Sequence, residues 1–348
     1  MKVCIVPYGD TWTHQGGHKT QQLRTAAALR RTGVHVVIGG AGLATTQPFD
    51  VVHFFGDPTE LTRLGRPRGR LVVSPVYFPA TVRLGPVRRR VGRGASIVNR
   101  LYHGLSRVRH PKLRASQWER FRDSLRAIAT ADLLVVNSVA EGRLLSDDLG
   151  RYTTGTPVPP VAVVHSGVEP VFFGGSAERG RALVGHGAFV LCVGRPEPIK
   201  NQLALSHAMR GVPRRLVLVG EVLPGNGAFL DACRHALPSL VHIPNLSPGQ
   251  LADVYAAADV HVLASHYETT GLSTAEALAA GTPVVIGRGP CVEEYFADCA
   301  RVVDPDSPKE IRAAILAAID APMGCESETA KRYSWDRTAQ ELLVAYGG

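Results

Sequence analysis

Short apolar runs of strand character recur along the 348-residue chain, with helical periodicity between most of them. Strands that are buried on both faces of a sheet are apolar throughout, and parallel neighbours need a helical crossover. The pattern therefore predicts an α/β fold with doubly wound parallel sheets. The predicted strands lie at residues 3–7, 34–38, 51–55, 71–74, 133–137, 161–165, 189–193, 216–220, 241–243, 260–264, 283–286 and 301–303.

The alternation loosens once, between residues 151 and 187, in a segment rich in Thr, Gly and Pro. A chain of this length is sufficient for two domains with cores of their own. We therefore predict two doubly wound domains with a boundary near residue 168. The predicted helices lie at about 18–32, 114–131 and 139–149 before this boundary, and near 199–209, 227–237, 248–258, 271–280 and 307–319 after it.

Composition disfavours several classes of protein. A hydrophobic fraction of 45% with 36 glycines suits an α/β protein, and no apolar run approaches the roughly 18 residues of a membrane span. The apolar start of the chain ends at Pro7, too early for a signal peptide, and is better explained as a strand. The cysteines lack metal-binding spacing, so we expect reduced thiols and a cytoplasmic location. They are Cys4, Cys192, Cys233, Cys291, Cys299 and Cys325.

The net charge of +9 is concentrated in residues 83–126, the basic segment. This segment holds 13 Lys and Arg residues against two acidic residues, a local charge of +11 that leaves the remainder near −2. It is either a solvated surface or a surface that recruits an anionic acceptor or membrane, for which we predict a basic amphipathic helix from Ser96 onward. A nucleic-acid-binding protein is another interpretation. Because the segment lacks a known module and interleaved aromatic residues, we expect no nucleic-acid partner.

Residues 260–286 have the pattern of a strand, a loop, a helix and a second strand. In an open parallel sheet the loop lies at the carboxyl end of the strand, where N–H groups of Gly271, Leu272 and Ser273 at the start of the helix can bind an anion. Glu268 in the loop and Glu276 in the first helical turn can reach a ligand bound there. The alternative is a capping box, in which Glu276 only bonds back to the N–H of Ser273.

Two other loops carry candidates for phosphate binding. Arg195 and Lys200 follow the strand that ends at residue 193, and two cations at a strand end can grip the phosphates of a nucleoside diphosphate, although alone such a pair is more often surface. Gly16 and Gly17 precede a predicted helix and let a phosphate approach the backbone. Their loop is neither a Walker A nor a GxGxxG sequence, which disfavours an NAD-dependent dehydrogenase.

Together these motifs resemble the E-x7-E signature of retaining GT-B glycosyltransferases, family 4 (glycosyl transferases group 1) in particular. The resemblance implies two Rossmann-like domains that face each other across a cleft. Residues 1–168 would form the acceptor side, residues 169–332 would bind the nucleotide-sugar donor, and a C-terminal helix over 333–348 would pack back on the first domain. The matching residues are Gly194, Arg195, Lys200, Ser265, Glu268, Gly271, Leu272, Glu276, Ala277, Gly281, Pro283, Val284 and Val285.

The resemblance also implies roles for single residues. Arg195, Lys200 and Glu268 would be catalytic, with the two cations stabilising the leaving diphosphate, so that neither a metal ion nor a cofactor is needed. Family members commonly carry a His after the fourth strand, which is absent here, so His18 and Tyr77 are the candidates on the acceptor side. The implied donor-binding residues are Gly16, Gly17, Ile243, Leu246, Thr269, Thr270, Gly271, Leu272 and Glu276, the last at the ribose hydroxyls.

The expected function is the transfer of a hexosyl group, with retention, from a nucleoside-diphosphate sugar to the hydroxyl of an acceptor that is anionic or lipid-linked. A nucleotide-sugar 2-epimerase of the same fold is the alternative, and it would need acid and base groups around the sugar that the sequence does not identify. Neither the sugar, the base nor the acceptor follows from the sequence. We expect a cytoplasmic protein with a peripheral membrane contact through the basic segment.

Overall fold

The computed structural model describes residues 1–7, 16–83, 111–324 and 326–347. These residues form two units. The described residues up to Gly167, together with the C-terminal helix Trp335–Tyr346, form the first unit, and Val168–Ser334 form the second unit. Each unit is built on a six-stranded sheet with helices on both faces. The predicted α/β fold with two doubly wound, Rossmann-like units is thereby confirmed.

The sheet of the first unit is parallel throughout, in the order β2-β1-β3-β4-β5-β6. Each strand lies within two residues of its predicted bounds. The strands are β1 (Lys2–Val6), β2 (His35–Ile38), β3 (Val51–Phe55), β4 (Arg70–Ser74), β5 (Leu133–Val136) and β6 (Val161–Val163). The helices before residue 168 are α1 (Gly17–Arg31), α2 (Ala41–Thr46), α3 (Leu61–Leu64), α4 (Ala80–Arg83), α5 (Pro111–Ile128) and α6 (Val139–Tyr152).

The C-terminal helix completes one face of this sheet. It packs against α1, and its Trp335 and Leu342 are buried in the same core as Leu29 of α1. Its last residue, Tyr346, is also buried, with its hydroxyl oxygen 2.6 Å from Nδ1 of His53 in the middle of β3. Burial lowers the pKa of His53 to about 3, so the ring is neutral and serves as a core hydrogen-bonding group.

Of the basic segment, the structure describes Arg83 and the last part, from residue 111 onward. There α5 buries Phe121 and Leu125 in the core, while Arg120 and Arg122 are exposed. This part of the segment is therefore an amphipathic helix that packs inward and leaves its cations in solvent. The helix predicted from Ser96 onward lies outside the described residues. Among those that are described, no helix is both long and apolar enough to cross a membrane.

The sheet of the second unit is also parallel throughout, in the order β12-β11-β10-β7-β8-β9. Its strands are β7 (Phe189–Val193), β8 (Arg215–Val219), β9 (Val241–Ile243), β10 (Val260–Leu263), β11 (Val284–Gly287) and β12 (Ala300–Val303). Its helices are α7 (Ala177–Val184), α8 (Gln202–Ala208), α9 (Gly227–Ala236), α10 (Pro248–Ala257), α11 (Leu272–Ala279), α12 (Pro290–Phe296), α13 (Pro308–Asp320) and α14 (Glu326–Lys331).

The strand order of the second unit creates a switch point beside β7. From β7 the chain moves to β8 and β9 on one side, and it then returns to β10 on the other side. The crossovers that leave β7 and β10 at their carboxyl ends therefore diverge, and open parallel sheets bind their ligands at such a point. In the first unit, β1 and β3 have the same relation.

The cysteines correct one expectation. Cys4, Cys192, Cys233 and Cys291 are free and buried, and burial raises the pKa of the Cys4 thiol to about 11. Cys299, however, is disulfide-bonded, so the expectation of reduced thiols is wrong for this residue. Spacing rules detect only cysteines that are close in sequence, whereas a disulfide joins residues that the fold brings together.

Candidate active site

The candidate residues of the second unit lie on three loops at one edge of its sheet. Arg195 and Lys200 follow β7, Glu268 follows β10, and Leu246 follows β9. Because β10 is the direct neighbour of β7, the first two loops meet at the switch point. The end of β9 is two strands away on the other side, roughly 10 Å at the usual spacing of strands. The fold thus brings the residues predicted for phosphate and sugar together and places those predicted for the base farther along the same edge.

The loop after β7 depends on close backbone packing. Gly194, with φ 155°, donates its N–H to the carbonyl of Val219 at 2.8 Å. A Cβ on Gly220 would lie 2.3 Å from the carbonyl oxygen of Gly194, so only glycine fits there. The loop ends at Asn201, which adopts a left-handed conformation with φ 59° and is the N-cap of α8.

The side chain of Asn201 ties this loop to two other strands. Its Nδ2 donates to the carbonyl of Ala264, just after β10, at 3.1 Å, and to the carbonyl of Pro305, beyond β12, at 2.7 Å. These bonds fix the residue that follows Lys200 against the start of the loop that holds Glu268. The sequence analysis missed Asn201. A signal was present, because Asn is one of the few residues other than Gly that adopt the left-handed conformation.

Lys200 and Glu268 form an ion pair at the switch point. The Nζ atom of Lys200 lies 2.7 Å from Oε1 and 2.8 Å from Oε2 of Glu268, and Ser265 donates its hydroxyl to Oε1 at 2.6 Å. The Lys200 side chain is 22% exposed and that of Glu268 is 10% exposed. Separating an ion pair this well buried would leave two unpaired charges, which is costly. Each residue therefore holds the other in place until a ligand competes for one of the two charges.

Arg195 is less firmly engaged than Lys200. Its Nη2 lies 3.8 Å from Oε1 of Glu197, and its side chain is 32% exposed. Its backbone is fixed, because Nε2 of Gln202 donates to its carbonyl at 2.9 Å. The guanidinium of Arg195 thus has a fixed backbone and only a distant ion-pair partner. Such a group is well suited to bind an incoming phosphate through two parallel N–H groups.

The start of α11 corrects the position expected for Glu276. Gly271, with φ 74°, is the N-cap, so the helix begins at Leu272 and Glu276 lies in its second turn. No side chain caps this helix, and its first turn contains no acidic residue. The capping-box alternative is therefore wrong. The left-handed Gly271 starts the helix before Ser273, and the uncapped N–H groups of the first turn are those that bind anions in other proteins.

The carboxylate of Glu276 faces the hydroxyl of Tyr255 on α10. Tyr255 is fully buried and donates its O–H to Oε2 of Glu276 at 2.9 Å. Burial raises the pKa of Glu276 to about 7; the Tyr255 hydrogen bond opposes this rise, and the nearby Glu169 carboxylate adds to it. Sequence reasoning missed Tyr255, because it lies on another helix, 21 residues before its partner.

The other residues of the second unit that are predicted to bind the nucleotide-sugar donor lie after β10 and at the end of β9. Thr270 is buried, whereas Thr269 and Leu272 are half-buried beside Gly271. Ile243 and Leu246 are half-buried at the end of β9, where the carbonyl of Ile243 accepts the N–H of Gly220 at 3.0 Å. Each therefore lies at the carboxyl edge of the sheet.

The candidates of the first unit divide into two kinds. Gly16 is the N-cap of α1 and Gly17 its first residue; no side chain caps this helix, and His18 is half-buried in its first turn. These three residues follow β1 at the switch point of the first unit. Tyr77 is different, because its buried hydroxyl donates to Oδ2 of Asp148 at 2.5 Å.

A second buried carboxylate holds the backbone of Tyr77. Oε1 of Glu141 accepts the Tyr77 N–H at 2.5 Å, and Oε2 accepts the N–H of Asn137 at 2.6 Å. Burial, with the Asp148 hydrogen bond, raises the pKa of Tyr77. Tyr77 thus secures the loop after β4, and its hydroxyl is bound to a carboxylate of the same unit. In the described ranges, no group of three or more His, Cys, Asp and Glu residues could hold a metal ion.

Comparison with protein families gives a match over most of the second unit. Residues 178–339 match the model described as glycosyl transferases group 1. A D-inositol 3-phosphate glycosyltransferase of Acidothermus cellulolyticus is 30% identical over 245 residues, which are 63% of this chain and 54% of the relative. An MMP alpha-(1->4)-mannosyltransferase of Mycolicibacterium hassiacum is 24% identical over 282 residues, 73% of this chain and 65% of the relative. The chain spans about half the length of the first relative.

The fold also matches solved structures. HepE of Anabaena, in complex with UDP and glucose, superimposes with a TM-score of 0.73 at 16% identity, covering 100% of this chain and 99% of that one. At this level of identity the likeness shows the fold alone. It is the fold implied by the E-x7-E motif.

Proposed function

We propose that this chain transfers a hexosyl group from a nucleoside-diphosphate sugar to an acceptor hydroxyl, with retention, because residues 178–339 match the model described as glycosyl transferases group 1. One observation carries the proposal. At the switch point of the second unit, the Lys200–Glu268 pair stands beside the uncapped start of α11. A diphosphate and a sugar need this combination of a cation, helix N–H groups and a carboxylate.

The cations act on the leaving group. As the bond between the anomeric carbon and the diphosphate breaks, negative charge grows on the phosphate oxygens. Lys200 and Arg195, together with the N–H groups at the start of α11, stabilise that charge. Positive charge supplied by the protein serves the purpose that a metal ion serves in other enzymes, so we propose a reaction without metal or other cofactor.

The acceptor attacks from the face that the diphosphate leaves. Its oxygen forms the new bond to the anomeric carbon, and its proton passes to an oxygen of the departing phosphate, so the configuration is retained. Glu268 holds Lys200 before the donor arrives and then contacts the sugar. The protein contributes position and charge, and the substrate supplies the base.

Names of similar proteins guide the choice of substrates. HepE was crystallised with UDP and glucose, and the Acidothermus cellulolyticus relative is named for an inositol phosphate acceptor. We therefore propose UDP-sugars as the first donors to test and phosphorylated polyols as the first acceptors. Recruitment to an anionic membrane through the basic segment remains part of the proposal, and it depends on residues outside the described part of the chain.

The test starts with binding. Calorimetric titration of UDP, GDP and ADP and of their glucose and mannose conjugates should identify one nucleotide that binds, and donor hydrolysis by the same protein should release it. Lys200→Ala should slow the release by about 10²–10³-fold, whereas Lys309→Ala, which removes an exposed lysine of the same unit, should leave it unchanged. NMR of the transfer product should show the anomeric configuration of the donor. Absence of binding by all nine compounds would refute the proposal, and a freed nucleotide with an epimerised sugar would favour the 2-epimerase.

A further inference from the structure

We infer that Tyr255 is the positioning residue for Glu276, whose carboxylate it orients for the contact with the ribose hydroxyls that the E-x7-E resemblance implies. The inference rests on the proposed function, because it takes Glu276 to face a nucleotide. It assigns a residue on α10 that lies outside the E-x7-E motif. Its basis is the geometry of one hydroxyl and one carboxylate.

The ring and the backbone of Tyr255 are both held in place. Its ring is fully buried and packs edge-on against Phe172 and His261, with centroids 5.9 Å and 5.6 Å away. Its carbonyl accepts the hydroxyl of Thr282 at 2.7 Å, which ties the end of α10 to the start of β11. A phenol fixed in this way presents its hydroxyl at one place, so the 2.9 Å bond to Oε2 sets the orientation of the Glu276 carboxylate.

The hydrogen-bond inventory of Glu276 leaves one oxygen for a ligand. An ionised carboxylate has about four acceptor positions on its two oxygens. Among the described residues, Tyr255 is the only hydrogen-bond donor to this carboxylate, and it binds Oε2. Oε1 is thus available for a further hydrogen bond in a side chain that is half-buried.

Glu276 has no Lys or Arg partner within the described part of the chain. The charged group with a noticeable effect on it is Glu169, another carboxylate, and not a Lys or Arg. Without a cation, the ionised form is stabilised by hydrogen bonds alone. Tyr255 supplies one, and the two hydroxyls of a vicinal diol can supply the others. A site built in this way discriminates strongly against ligands that lack the hydroxyls.

The experiment compares UDP with 2′,3′-dideoxy-UDP on three proteins by calorimetric titration. Wild type should prefer UDP by at least about tenfold, the discrimination that loss of a hydrogen-bonded hydroxyl produces. Tyr255→Phe keeps the ring and should weaken UDP binding several-fold while leaving the dideoxy compound unchanged. Tyr333→Phe is the matched control, since it removes a partly buried tyrosine hydroxyl that donates to the carbonyl of Tyr295 at 3.2 Å. It should change neither dissociation constant.

A second variant distinguishes loss of the Tyr255–Glu276 hydrogen bond from a general packing defect. Glu276→Asp keeps the charge but withdraws the carboxylate from the Tyr255 hydroxyl by one methylene, and it should lose the same preference for UDP. Equal losses for both nucleotides in Tyr255→Phe, or an undiminished preference in either variant, would overturn the inference. Failure of wild type to bind any nucleoside diphosphate would instead refute the proposed function, so the two failures are distinguishable.

Discussion

Removing the charge of Glu276 should stabilise the protein, and more so as the pH rises. Burial raises the pKa of this carboxyl to about 7 in the folded chain, against 4.5 for an ordinary glutamate. Between these two values the folded chain keeps the proton that the unfolded chain releases. Stability therefore falls as the pH rises from 4.5 to 7 and is level above that range. In Glu276→Gln this loss is absent.

The size of the effect follows from the two pKa values. A difference of one in pKa corresponds to about 1.4 kcal/mol, which gives a full cost of about 3 kcal/mol above pH 7. Because Glu276 is only half-buried, solvent screens part of this cost, and we expect Glu276→Gln to gain about 2 kcal/mol at pH 8. At pH 5, where the folded chain still holds its proton, the gain should be below about 1 kcal/mol.

Urea unfolding of wild type and Glu276→Gln at pH 5 and pH 8 measures this difference. Far-UV circular dichroism is the right probe, because the sequence of the second unit, Val168–Ser334, contains no tryptophan. The control is Glu294→Gln, which removes an exposed carboxylate of the same unit and should change stability by less than about 0.5 kcal/mol. A gain in Glu276→Gln that is equal at both pH values, or no gain at pH 8, would show that burial does not penalise the ionised carboxylate.

Three further predictions concern the loop after β7 and the reaction. Arg195→Ala and Lys200→Ala should each lower the rate of donor turnover by about 10²–10³-fold, as loss of a charge-stabilising donor does; rates within threefold of wild type would argue against their role. Turnover should survive dialysis against EDTA, and loss that Mg²⁺ or Mn²⁺ restores would refute metal independence. Asn201→Ala should cost about 2–3 kcal/mol in urea unfolding, since it places alanine in a left-handed conformation and leaves the carbonyls of Ala264 and Pro305 without a donor; a cost below about 1 kcal/mol would contradict this.

The sequence predicted the strands because their signal is local. Twelve apolar runs correspond to twelve strands, and the alternation with helices was enough to predict two parallel sheets. Helices of one or two turns, such as α2, α3 and α12, were missed because a segment this short shows no clear period. The predicted position of Glu276 was wrong by one helical turn. The sequence is equally compatible with a helix that begins after a left-handed Gly271 and with one that begins after a capping Ser273.

The contacts at the candidate site depend on the order of the strands, which no local pattern reveals. Lys200 and Glu268 were both predicted as ligand contacts, but their ion pair exists only because β10 is a neighbour of β7. Tyr255 was missed because it reaches Glu276 from a different helix. Tyr77 was proposed to face the acceptor, yet the carboxylate of Asp148, 71 residues away, binds its hydroxyl. The roles of these residues in catalysis remain predictions.

The position of the C-terminal helix has a consequence for synthesis of the chain. Trp335 and Leu342 fill the core beside β1 and β3, and Tyr346 provides the hydroxyl next to His53. A ribosome releases these residues only after it has made all of the second unit. The first unit therefore waits, with one face of its sheet open and His53 short of a partner, while the second unit emerges and can fold. Although domains usually fold in the order of their synthesis, here the unit that is begun first is the one that is finished last.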